Sequence, residues 1–137
     1  MHTPAEILRG AKTIALVGAS PNPDRPSNSV MHYLLRQGYD VIPVRPAGCD
    51  EVLGVPCVRT LKEIDRPIDL VDVFRRAEFT PAHAREAVEV GAGALWLQLG
   101  IASDESRAIA EAAGLDYVED LCTAVVHRYE IREPLTG

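Results

Sequence analysis

The residues Ile14-Ala-Leu-Val-Gly18-Ala-Ser20-Pro-Asn22-Pro-Asp-Arg25-Pro-Ser27 concentrate the groups able to do chemistry in this chain. An apolar, β-branched run stops at a glycine, crosses a polar loop pinned by prolines, and enters an amphipathic helix near Ser27 or Asn28. A strand–glycine loop–helix unit lets backbone N–H groups approach an anion and turns the positive end of a helix toward it. Ser20, Asn22, Arg25 and Ser27 add side-chain donors. The expected chemistry is phosphate binding. The dinucleotide fingerprint G-x-G-x-x-G is incomplete, since Gly18 is followed by Ala19, Ser20, Pro21 and Asn22. A generic tight turn is the competing reading. Against it stands the loop's length, roughly ten residues where a strand-to-helix connection usually has about 2–6.

Three more segments end in residues of interest. Val44 leads to Arg45-Pro46, at the strand tip where a dinucleotide fold that binds NAD places a carboxylate for the ribose 2′-hydroxyl. An arginine there favours an additional ribose phosphate, as in NADP or a 3′-phosphoadenosine compound; a solvated surface arginine is the plain alternative. Phe74-Arg75-Arg76 closes the third apolar strand, and Gly100 follows Leu95-Trp96-Leu97-Gln98-Leu99. Phe74 could stack on an adenine or pack in the core, and Gly100 permits close backbone approach. The expected binding set is Gly18, Ala19, Ser20, Asn22, Pro23, Arg25, Ser27 and Asn28, then Arg45, Pro46, Phe74, Arg75, Arg76 and Gly100. Four arginines at the ends of three strands suit a polyanion, unless Asp24, Asp72 or Glu78 pairs with them.

No catalytic set accompanies these residues. His2, His32, His83 and His127 lack metalloprotease spacing, and no G-x-S-x-G elbow occurs. Neither a metal nor a catalytic residue is expected. Cys49, Cys57 and Cys122 are odd in number without C-x-x-C spacing, which reads as reduced thiols in a cytoplasmic protein. Cys122, just before a short final helix, is flagged as a thiol whose ionisation that position favours. The net charge of −6 argues against nucleic acid or an anionic membrane as partner. No apolar run is long enough to span a membrane, and Met1-His2-Thr3-Pro4 lacks a signal pattern. A protein partner is left open.

The elements that must position these groups alternate along the chain. Thr3 and Pro4 open a short helix over 4–10, and strands are expected at Thr13–Val17, Tyr39–Val44, Ile68–Phe74, Ala94–Leu99 and Leu115–Val118. Between them fall a helix closed by Gly38, one opened by Thr80-Pro81, and one opened by Ser103 with an apolar face of Ala108, Ile109 and Ala112. A final helix carries a frayed tail. Five such alternations predict one α/β domain over 1–137, with its core at about 5–127 and a tail at 128–137. The expected fold is a Rossmann-like three-layer sandwich, a parallel five-stranded sheet with helices on both faces. Order 3-2-1-4-5 is favoured over the flavodoxin-like one, and Asp72 and Trp96 are expected to be structural.

Ile14–Pro46 (IALVGASPNPDRPSNSVMHYLLRQGYDVIPVRP), Asp69–Arg76 (DLVDVFRR), Leu95–Ile101 (LWLQLGI) and Ala113–Cys122 (AGLDYVEDLC) resemble the small stand-alone CoA-binding proteins. That family is similar to the CoA-binding domain at the front of succinyl-CoA synthetase α-subunits. The resemblance implies a Rossmann-like fold that binds coenzyme A or acyl-CoA through its 3′-phospho-ADP moiety. The glycine loop would hold phosphate, and Arg45, Phe74 and Arg75 the adenosine side. The phosphohistidine and grasp-type segments of the synthetase have no counterpart, so a complete ligase is not expected. The leading expectation is a non-catalytic carrier, sensor or regulatory protein. The alternatives are an NADP-dependent oxidoreductase and a thiol-linked redox or interaction module in which Cys122 meets the pantetheine thiol.

Overall fold

The computed structural model describes residues 1–131. Five strands form a single parallel sheet: β1 (Thr13–Val17), β2 (Asp40–Val44), β5 (Leu70–Val73), β6 (Ala94–Leu97) and β7 (Asp116–Val118). Two short strands, β3 (Glu51–Val52) and β4 (Val55–Pro56), make an antiparallel hairpin between β2 and β5. The helices are α1 (Pro4–Gly10), α2 (Pro26–Arg36), α3 (Thr80–Glu89), α4 (Asp104–Ala112) and α5 (Thr123–Val126), the last running into a wider helical turn over His127–Ile131. The expected tail beyond residue 131 lies outside the described residues. Among the described residues no helix is long and apolar enough to cross a membrane.

Strand side chains alternate between two faces, and the cores divide accordingly. Ile14 and Leu16 point with Leu70 and Trp96 into a core closed by Leu8, Met31, Leu34 and Val126. Ala15 and Val17 point with Val71, Val73, Leu95 and Leu97 into a second core closed by Ala84, Ala87 and Ala110. Helices α1, α2 and α5 therefore cover one face and α3 and α4 the other, giving the three-layer, Rossmann-like sandwich. Trp96 is fully buried, and its Nε1–H donates to the Leu121 carbonyl at 2.8 Å.

The strand order is β2-β1-β5-β6-β7. In chain order the sheet strands run 2-1-3-4-5, which corrects the expected 3-2-1-4-5. The reason lies in β2. Pro43 has no N–H for a ladder on both sides, so the strand that carries it suits a sheet edge. The free side of β2 is covered by the hairpin segment, whose Val58 donates its N–H to Pro43 O (3.0 Å) and accepts the Arg45 N–H (2.8 Å). β5 instead buries every residue and takes the centre, between β1 and β6.

Two further expectations are corrected. Cys49 and Cys57 form a disulfide, leaving Cys122 as the free thiol. The β3–β4 turn brings their Cα atoms to 5.7 Å, inside the range a disulfide spans. On α4 the buried positions are Ser106 and Ala110, with Ile109 half-buried, whereas Ala108 and Ala112 face solvent. Ser106 is drawn inward because its hydroxyl bonds that of Thr80 on α3 at 2.8 Å.

Candidate functional site

In a 2-1-3-4-5 sheet the crossover direction reverses between β1 and β5, and a crevice opens beyond their carboxyl ends. A cavity of about 860 Å³ lies there. Gly18, Ala19 and Ser20 follow β1, Arg45 and Pro46 follow β2, Phe74, Arg75 and Arg76 follow β5, and Gly100 follows β6; all border it. Arg25 and Ser27, at the start of α2, border it too. All but three of the residues expected from the sequence thus meet in one place.

The exceptions are Asn22, Pro23 and Asn28, which do not line the cavity. Asn22 shapes the loop from within. Its Oδ1 accepts the Asp24 N–H (2.9 Å), and its carbonyl accepts the Arg25 N–H (3.1 Å). Asn28 is buried, and its Nδ2 donates to the Ser20 carbonyl at 3.0 Å, tying the loop to the first turn of α2. Both hold the shape of the loop from behind.

Gly18 is required by geometry. It has φ +87°, and a Cβ there would lie within 2.4 Å of the Phe74 carbonyl oxygen. The backbone after β1 therefore runs close against that after β5, at the floor of the crevice. The N–H groups of Gly18 and Ala19, expected to face an anion, instead donate to Val44 O at 2.9 and 3.3 Å. At the N-terminus of α2 Pro26 has no N–H and the Asn28 N–H donates to Arg25 O at 3.0 Å, which leaves the Ser27 N–H to the cavity. Arg25, the N-cap residue, makes no side-chain capping bond, Pro26 occupies the first turn, and no acidic residue lies there. That end keeps its positive potential for an anion.

The arginines add full charges. Arg25, Arg45 and Arg75 make no ion pair with a carboxylate among the described residues. Arg76 Nε lies 3.6 Å from Glu78 Oε1, and both side chains are exposed. The guanidinium carbons of Arg75 and Arg76 stand 4.6 and 5.2 Å from the Phe79 ring centroid, which orients them without neutralising them. Arg75 also stands 3.5 Å from His83 Nε2. Burial, helped by that arginine, pulls His83 down to about 4, so its ring is neutral at pH 7. A smaller cavity of about 310 Å³ adjoins the first through Pro46 and Arg75 and contains His83. Phe74 is half-buried: it packs on the core below and lines the cavity above.

Beneath the β6 end lies a polar knot. Asp72 is fully buried; its carboxylate accepts from Gln98 Nε2 (2.6 Å) and from the Thr123 hydroxyl (2.9 Å). Gln98 Nε2 also reaches Thr123 Oγ1 at 2.8 Å. The arginine weighed as a partner for Asp72 is replaced by these two. With no cation at hand, burial pushes the Asp72 carboxyl up to about 7. Gln98, Leu99, Ile101 and Cys122 also border the cavity but lie outside the set expected from the sequence. A polar Gln98 inside an apolar strand, and a cysteine before a final helix, were the signals present. Among the described residues no group of His, Cys, Asp and Glu is placed to hold a metal ion.

Comparison with known proteins agrees with this architecture. The model of the CoA binding domain family matches residues 12–128. The uncharacterized protein YneT of Bacillus subtilis is 45% identical over 122 residues, spanning 89% of this chain and 90% of its own. A solved hypothetical protein of Pyrococcus horikoshii superposes with a TM-score of 0.88 at 39% identity, covering 93% of this chain and 91% of its own. The cell-free ID.343 structure of Thermus thermophilus gives 0.87 at 37% identity, covering 93% and 98%. A dinucleotide-forming acetyl-coenzyme A synthetase of Candidatus Korarchaeum cryptofilum shares the fold at a TM-score of 0.71 and 20% identity. That match takes in 82% of this chain and 26% of the synthetase.

Proposed function

This chain belongs to the CoA-binding domain family, and from that premise we propose that the crevice holds coenzyme A or an acyl-CoA by its 3′-phospho-ADP half. CoA binding in general comes with the family; the moiety held and the residues that hold it are our reading. The observation that carries it is the convergence of Arg25, Arg45, Arg75 and Arg76 on one cavity in a chain of net charge −6. Three of them lack a carboxylate partner among the described residues, so a polyanion would not have to displace an existing ion pair.

In this reading the α2 N-terminus and Ser20 take the diphosphate, with Arg25 beside it. Arg45 takes the ribose 3′-phosphate, and Pro46 and Phe74 flank the adenine. Asn22, Pro23 and Asn28 serve by holding the loop. The protein acts as a carrier, sensor or regulator of CoA in the cytoplasm. Thiol pools there keep cysteines reduced, so the Cys49–Cys57 bridge would be open for part of the protein's life. Calorimetric titration separates this reading from an NADP-dependent reductase. Saturable one-to-one binding of CoA, with NADPH at least tenfold weaker, supports it; the opposite ranking overturns it.

A further inference from the structure

Resting on the reading of the crevice as a coenzyme A site, we infer that its preferred ligand is a thioester whose acyl group is apolar and uncharged, seated at the β6 end. The cavity has two chemically different ends. Beyond β2, β1 and β5 it is rimmed by arginines. Beyond β6 it is lined by Gln98, Leu99, Gly100 and Ile101, and ahead of α5 by Cys122, with no cationic side chain among them. Three strand spacings separate β2 from β6, roughly 14 Å. A ligand anchored by phosphates at one end would therefore bring its far, uncharged end to this wall.

The groups around that wall argue against a carboxylate-bearing acyl group. The amide nitrogen of Gln98 is committed to Asp72 and Thr123, so it offers no donor to a second anion. Asp120 stands beside this wall, its Oδ1 accepting the Gly100 N–H at 2.7 Å. Glu119 follows β7, held by Arg107 at 3.2 Å and by the Tyr117 hydroxyl at 2.8 Å. With Arg107 already paired to Glu119 and no cationic side chain lining the cavity beyond β6, a succinyl or malonyl carboxylate would meet Asp120 without a free counter-ion at that end.

The wall also offers apolar surface. Leu99 is 69% exposed and Leu121 40% exposed. One exposed leucine needs no explanation. These two are held together: Asp120 accepts from Gly100, and the Asp120 N–H donates to Ile101 O at 3.1 Å. The turn at 99–101 is thereby fixed against 120–121, and Trp96 anchors the Leu121 carbonyl from below. An apolar chain leaving the cavity at this end would cover both leucines.

The test is a calorimetric series of CoA, butyryl-CoA, hexanoyl-CoA and succinyl-CoA on the full chain, repeated on the Leu99→Asp variant. Each methylene fully removed from water gives about a fourfold gain, so hexanoyl-CoA should bind at least about tenfold tighter than CoA even with partial coverage. Succinyl-CoA, with the same number of acyl carbons as butyryl-CoA, should bind at least tenfold more weakly than it. In the variant, hexanoyl-CoA should fall to within about twofold of CoA measured on the same protein. Equal binding of succinyl- and butyryl-CoA, or of hexanoyl-CoA and CoA, on the unaltered chain overturns this inference and leaves the CoA reading standing. A chain that binds none of the four overturns both.

Discussion

Replacing Asp72 by Asn should remove a pH dependence that one buried carboxyl imposes on stability. Asp72 sits at the centre of the sheet with two neutral donors and no cation, and burial raises its carboxyl from the ordinary 3.8 to about 7. Between those two pH values the folded chain keeps a proton that the unfolded chain has released. Stability then falls as pH rises, by up to about 1.4 kcal/mol per pH unit and about 4 kcal/mol over the window. The contribution is fully present below about pH 4 and is lost as pH climbs through 7. Asparagine is neutral throughout and keeps the geometry: its oxygen accepts from Gln98, and Thr123 turns its hydroxyl to accept from the new amide. Urea unfolding of both proteins from pH 4.5 to 8.5 isolates the effect, because every other titrating group is shared. The advantage of the Asp72→Asn variant over the unaltered chain should grow by about 2–3 kcal/mol between pH 5 and pH 8. Parallel curves across that range would refute the reasoning.

Two further substitutions probe the frame of the crevice. Gly18→Ala places a Cβ against the Phe74 carbonyl at a left-handed φ. It should cost about 2–4 kcal/mol and weaken ligand binding together; a melting temperature within about 2 °C of the unaltered chain would contradict the close approach. Reducing Cys49–Cys57 opens the short loop next to Val58, which pairs with Arg45, and should cost roughly 2–3 kcal/mol. The Cys49→Ser/Cys57→Ser double variant should show that loss with or without dithiothreitol; a reductant effect equal in both proteins would show that the bridge contributes nothing.

Much of this was legible in the residues, for identifiable reasons. Gly18, Arg45 and Arg75 follow apolar strands directly, and in a parallel sheet all such positions come to one edge. The cavity therefore followed from local pattern once the sheet was parallel. Pro43 carried the information about strand order, because a proline belongs on an edge strand, and the 3-2-1-4-5 expectation put it inside. The Cys49–Cys57 pair depended on a hairpin of two-residue strands, too short to leave a periodic signal. Asp72 depended on contacts across 26 and 51 residues of chain, to Gln98 and Thr123, which no local pattern encodes. The backbone N–H groups of Gly18 and Ala19 went to Val44 for a similar reason: the neighbouring strand reaches them.

The claim on which the account depends is that guanidinium groups at the ends of β1, β2 and β5 hold a ribose-phosphorylated adenosine. Titrating CoA and dephospho-CoA into the unaltered chain and into the Arg45→Glu variant tests it directly. A charge-assisted hydrogen bond to the 3′-phosphate contributes about 1.5–3 kcal/mol, so CoA should bind the unaltered chain at least about tenfold tighter than dephospho-CoA. In the variant CoA should lose that advantage, while dephospho-CoA changes little. Equal losses for both ligands, or an unaltered chain indifferent to the 3′-phosphate, would contradict the account.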